Sequence, residues 1–148
     1  MESGFIQRNT KKTLTSGIVN NLATDCEELT VLGAIAVHQE VDLKTISTNG
    51  HSSFHSRVKA NILRNTGVCT IKDFCEMTEL PNIGQLKIRH GNITKINSSG
   101  KLIVEQTLQA KQFNGIGVVR AKEIQSEQFS LKLSGKLLER IMIGYIMK

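Results

Sequence analysis

The chain has 148 residues, a formal net charge of +6, no Trp, one Tyr and five Phe. Its 39% apolar and 22% charged residues exclude wholesale disorder, and its longest apolar run, Val31–Val37, is too short for a membrane-spanning helix, which takes about 20 residues. A core without large rings must be narrow and filled by aliphatic side chains. The N-terminus has neither a long apolar stretch nor a cleavage site, so secretion is not expected. Cys26, Cys69 and Cys75 are odd in number and lack C-x-x-C spacing, which reads as three reduced thiols in a cytoplasmic protein. The positive charge admits anionic lipid, nucleic acid or an acidic protein as partner.

In chain order, residues 1–13 precede any repeat and read as a flexible tail. Phe5-Ile6, beside Arg8, Lys11 and Lys12, is its apolar tip. That tip is a candidate contact for an anionic membrane surface, where each nearby basic residue contributes about 1 kcal/mol.

From residue 14 to 136 the chain repeats. Gly17, Gly33, Gly50, Gly67, Gly84, Gly100, Gly117 and Gly135 stand 16 to 18 residues apart. Four residues before each glycine after the first stand Leu29, Ile46, Leu63, Leu80, Ile96, Phe113 and Leu131, all apolar. Two after each come Val19, Ile35, Ser52, Cys69, Leu86, Leu102, Val119 and Leu137, with Ser52 the one polar residue. Four after come Val37, Phe54, Ile71, Ile88, Val104 and Ala121, and eight after come Val41, Val58, Cys75 and, past a slip at Gly91–Ile93, Leu108. Residues before the glycines (Ser-Thr-Asn, Arg-Asn-Thr, Pro-Asn-Ile, Asn-Ser-Ser) are turn formers. Glycine is expected to supply positive φ there, and its neighbours to bond their own backbone.

A unit of about 17 residues is too short for helix-pair repeats or a propeller blade, and apolar residues two apart indicate strands. Three short strands and three corners make one coil of a parallel β-solenoid. Coils stack about 4.8 Å apart, and columns of like aliphatics run up the inside. The expected fold is therefore all-β, a single-domain β-helix. The last segment, 137–148, carries Ile141, Met142, Ile143, Tyr145, Ile146 and Met147. It reads either as a closing coil or as part of an end-to-end contact between subunits, because an open solenoid end templates the addition of another chain.

Catalytic and cofactor patterns are wanting. Hexapeptide acyltransferases repeat an aliphatic residue and glycine every six residues, a pattern absent here. His38, His51, His55 and His90 have no evident carboxylate to orient them. His38 and His55, each five residues after a glycine, are expected to stack outward on adjacent coils. Asp25, Asp42 and Asp73 fall in different columns, no zinc spacing exists, and no phosphate-binding G-x-x-x-x-G-K-[ST] loop appears. No metal, cofactor or small-molecule substrate is expected. The outward column His38, His55, Lys72, Arg89, Glu105, Lys122, Arg140 has a basic stripe, in which Lys72, Arg89, Lys122 and Arg140 are candidates for an anionic partner. The alternative is a solvated face. Nucleic acid is not expected, because stacking aromatics are lacking.

The rung "apolar-x-turn-x-Gly-x-apolar-x-apolar", phrases such as KLIVEQTLQAKQFNGIGVVRAKEI, and the Ala110-Lys111 and Ala121-Lys122 pairs resemble the bactofilins, small bacterial cytoskeletal proteins. The resemblance covers Gly17 to about Gly135. It implies a central β-helix with short tails, and non-polar filaments formed end to end without nucleotide, from this chain alone or together with a paralogue. It also implies scaffolding at the inner face of the membrane in cell shape, division, polarity or motility. Apolar residues of the last coils would carry assembly, here Phe129, Leu131, Leu133 and Leu137, with Ile141 following. The chain departs from the family pattern in its less regular early coils and its apolar C-terminal segment. Other readings of function are a non-polymerising adaptor with a basic docking face, or a solenoid enzyme of the acyltransferase type.

Overall fold

A computed structural model of the chain describes residues 11–19, 27–131 and 136–137. These form one parallel sheet system wound into a β-solenoid of about 6 turns. Its strands are β1 (Lys11–Val19), β2 (Glu28–Val37), β3 (Val41–Thr48), β4 (His51–Phe54), β5 (Val58–Asn65), β6 (Val68–Asn82), β7 (Gln85–Ser98), β8 (Lys101–Gly115), β9 (Val118–Leu131) and β10 (Lys136–Leu137). The long strands bend round the corners, so β6, β7, β8 and β9 each make nearly a full coil. β1 begins at Lys11, inside the segment read as a tail.

Each coil has three faces. In the coil that follows Gly50, the first face points Ser52 and Phe54 inward, the second Val58 and Ala60, and the third Leu63 and Asn65, all buried. Alternation of two within each face is the strand period, and the corner residues reset it. The coils above place Cys69, Ile71, Cys75, Met77 and Leu80, then Leu86, Ile88, Ile93 and Ile96, in the same columns. Isoleucine and leucine bury about 1.5–3 kcal/mol each before entropy is subtracted, and only stacking provides that burial.

The apolar columns expected at four residues before and two, four and eight after the glycine are the core. A further inward column, which the glycine spacing does not mark, is made by Leu43, Ala60, Met77, Ile93, Ala110 and Ser126, all buried. The eight-after column holds Gly91 between Cys75 and Leu108. A methyl group on Gly91 would sit 2.5 Å from Cys75 Sγ, so the sulfur occupies the room the glycine leaves. The slip lies just before Gly91. There the second corner has two residues, Arg89 and His90, where the coil below has three, Lys72 to Phe74. This alternation produces the 16- and 17-residue steps.

The expectation for the corner glycines is corrected. Among the described residues only Gly17 has positive φ, at 119°. The glycines from Gly33 to Gly117 are required by close approach instead. A methyl group on Gly67 would lie 2.7 Å from the Asn49 carbonyl carbon and closer still to the Gly50 oxygen. Stacked corners at strand spacing leave no room for a Cβ. The carbonyls thus exposed are used: Val68 N–H donates to Gly50 O at 2.8 Å and Gln85 N–H to Gly67 O at 2.8 Å.

Gly17 itself does not belong to this column. β1 aligns Gly17 with Ile35 and Val19 with Val37, and its register shifts between Leu14 and Ser16. Opposite Gly33 stands Thr15, whose carbonyl a Gly33 side chain would strike.

The turn formers are corrected too. Thr48, Asn65, Asn82 and Ser98 point inward, are buried, and bond between coils rather than to their own backbone. Thr48 Oγ1 donates to Asn65 Oδ1 at 2.7 Å, Asn65 Nδ2 to Asn82 Oδ1 at 2.8 Å, and Asn82 Nδ2 to Ser98 Oγ at 3.1 Å. Each amide reaches onward to a main-chain carbonyl, Asn65 to Gln85 O at 2.9 Å and Asn82 to Lys101 O at 3.1 Å. Buried polar groups are tolerated because the ladder satisfies them.

Candidate assembly and docking surfaces

The N-terminal end of the solenoid is β1. It pairs with β2 on one edge, and no described strand pairs with the other. Leu14 and Val19 pack against the core but stay half-buried, unlike their counterparts Val31 and Val37, which are fully buried. Ile18 is 68% exposed. A sheet edge that no described strand pairs, over half-buried apolar side chains, is a template for another strand.

At the other end the register corrects one column. Phe129 pairs with Phe113, so it takes the position four before the glycine that the sequence assigns to Leu131; Leu131 pairs with Gly115, two positions further on. Leu137 returns to register opposite Val119. Phe129, Leu131 and Leu137 therefore belong to the last described turn. Leu133 and Ile141 lie outside the described residues, as do Phe5, Ile6 and Arg140.

The outward column after the first face is as expected. His38 and His55 stack with ring centroids 4.2 Å apart and 13° between planes. Ser53 Oγ lies 3.0 Å from His55 Nε2. The half-buried His55 imidazole is held below its ordinary pKa by loss of water, then by the charges of Lys72 and His38. Lys72, Arg89 and Lys122 are exposed, and Glu105 bonds Lys87 at 3.2 Å. On the second corner Arg57 lies over the Phe74 ring at 5.3 Å, and Phe74 meets His90 edge-on at 5.3 Å. Arg57 and Phe74 both stand seven residues after a corner glycine, and His90 is the register partner of Phe74, so the three side chains form one outward column on successive coils.

The chemistry of the interior is inert. Burial pushes the Cys69 thiol up to about 11, against a smaller opposing pull from the Ser52 and Thr48 hydroxyls. Burial and the neighbouring Cys69 push Cys75 up to about 12. Both are packed thiols. Among the described residues no three of His, Cys, Asp and Glu converge as a metal site would require. No described helix is long and apolar enough to cross a membrane. The glycine corner carries a notch of about 330 Å³ between the exposed Ile83 and Ile116, floored by Ser98 and Ser99.

These features define a parallel β-solenoid with outer surfaces available for interaction. Compared with protein-family models, curated proteins and solved structures, the chain matches none.

Proposed function

We propose that this chain is a structural subunit that joins end to end into filaments without nucleotide and serves as a cytoplasmic scaffold. The observation that carries the reading is β1, whose outer edge no described strand pairs and whose Leu14 and Val19 remain half-buried where their counterparts Val31 and Val37 are fully buried. A second subunit would cover those side chains and supply partners to that edge. Apolar positions Phe129, Leu131 and Leu137 in the last turn offer the matching end, in agreement with what the resemblance to the bactofilins implies.

Negative-stain electron microscopy of the purified chain, without nucleotide and over a range of salt, tests this directly. Thin unbranched filaments are expected. A monodisperse small species under all conditions would overturn the reading. Leu14→Arg, Phe129→Arg and Leu137→Arg should each yield short oligomers or monomers that keep the strand signature in circular dichroism. Unchanged filaments from all three would displace the contact from the solenoid ends.

A further inference from the structure

We infer that the glycine corner is a lateral contact between two copies of this chain, packed antiparallel and offset so that Ile83 of each copy fills a notch in the other. The residues just before the corner glycines, Leu32, Asn49, Thr66, Ile83, Ser99 and Ile116, form one outward column, and none is charged. Three of the four exposed large apolar side chains among the described residues stand in it: Leu32, Ile83 and Ile116. Single exposed apolar residues are ordinary, but their concentration on one uncharged ridge marks a contact surface. The relief of the ridge is specific. Ser99 lies on the coil between Ile83 and Ile116, and its small side chain opens the notch of about 330 Å³, which Pro81, Asn97 and Asn114 also line.

The chain itself supplies the group that fits. Parallel pairing across the corner would set Ile83 against Ile83 and Ser99 against Ser99, knob on knob and gap on gap. Antiparallel pairing about a two-fold axis between the coils of Ile83 and Ser99 sets Ile83 of one copy opposite Ser99 of its partner, and Thr66 opposite Ile116. Each Ile83 then enters the other copy's notch, and the contact is isologous.

The flanks agree with this register. On the first-face side Val68, Gln85, Lys101 and Val118 are register partners on four successive coils, so the two-fold places Val68 opposite Val118 and Gln85 opposite Lys101. On the third-face side it places Pro81 opposite Asn97 and Arg64 opposite Asn114. Arg64 and Lys101 thus meet amides, and over these four coils no like charges face one another. Thr66 Oγ1 already donates to Asn49 Oδ1 at 2.9 Å, so covering it with Ile116 leaves no donor unpaired.

Four coils at about 4.8 Å make a strip about 20 Å long and one corner wide, so a single pair covers less than the about 1,200 Å² of a stable complex. The contact is therefore weak between two free chains, and it gains wherever subunits are held in a row, because each further pair then forms at high effective concentration. It is independent of the end contact, since it uses neither β1 nor the last turn.

Cysteine cross-linking of the full chain tests the register. In a Cys26→Ser background, Thr66→Cys/Ile116→Cys is oxidised with copper–phenanthroline at high protein concentration. Within one chain the two positions are three coils, about 14 Å, apart, beyond disulfide reach. A closed covalent dimer is expected, at more than about tenfold the yield of Thr66→Cys or Ile116→Cys alone. Ile83→Lys, which puts an unpaired charge into the notch, should lower that yield more than about tenfold. Thr78→Lys, on the exposed third corner, should change it less than about twofold. Ile83 is 65% exposed, so the circular dichroism of its variant should stay that of the parent protein. A ladder of higher covalent oligomers, single variants that cross-link as well as the double one, a yield indifferent to Ile83→Lys, or no dimer would each overturn the inference.

Discussion

Asn65 donates one amide to two acceptors of the next coil, Asn82 Oδ1 at 2.8 Å and Gln85 O at 2.9 Å, while its own Oδ1 accepts from Thr48 at 2.7 Å. The side chain is fully buried. It therefore ties three successive coils together inside the glycine corner, where the main chain turns and strand pairing alone would leave groups unmatched.

Asn82→Ala should remove one rung of this ladder, leaving the Asn65 amide without its acceptor on Asn82 and the buried Ser98 Oγ without its donor. Leaving buried groups unpaired costs about 1–3 kcal/mol each, more than the net worth of a made bond. Urea unfolding should show a loss of about 2 kcal/mol, against a change within about 0.5 kcal/mol for the exposed Asn61→Ala. Equal effects would mean the ladder contributes nothing beyond its packing.

Gly67→Ala tests the close approach at the corner. The new methyl would press on the Gly50 and Asn49 main chain, which has no flexible side chain to move aside. Overpacking of this kind costs about 1–3 kcal/mol, and the melting temperature should fall. A melting temperature equal to that of the parent protein would show that the corners are spaced more widely than the stack requires.

Stability should fall as the pH drops through the ordinary histidine range. The His55 pKa is lowered in the fold, by loss of water and then by Lys72 and His38. Between that lowered value and about 6.5 the unfolded chain binds more protons, so acid favours unfolding. The contribution of His55 is present above about pH 6.5 and is lost as the pH falls towards its folded value. Urea midpoints at about pH 8 and about pH 5 should differ less in His55→Gln than in the parent protein. An unchanged pH dependence would place the responsible group elsewhere.

Thiol alkylation reads the interior. With pKa values of about 11 and about 12, Cys69 and Cys75 hold very little thiolate near neutrality, and both are buried. In a Cys26→Ser background the folded chain should resist iodoacetamide at pH about 8, and both thiols should react once urea unfolds it. Rapid reaction of the folded chain would show that the column around Cys75 and Gly91 opens.

Periodicity of about 17 residues was enough to place the solenoid, its three faces and most inward aliphatics, because each coil must bury the same positions to stack. Leu63, Leu80 and Ile96 are legible for that reason: identical environments one coil apart select similar side chains. The exposed stripe of Lys72 and Arg89 and the His38–His55 stack follow from the same register. What the repeat did not carry is what depends on the coils above and below. Asn65 and Asn82 look like ordinary turn residues until the next coil supplies their acceptors. Gly17 satisfies the spacing, yet a register shift in β1 takes it out of the column. Phe129 displaces Leu131 because a shortened corner offsets the chain before its last turn. Composition and spacing determine which residues face inward along one coil; only the stacked structure decides which atoms meet between coils, since hydrogen bonds and steric contacts depend on ångström-scale register that periodicity leaves free.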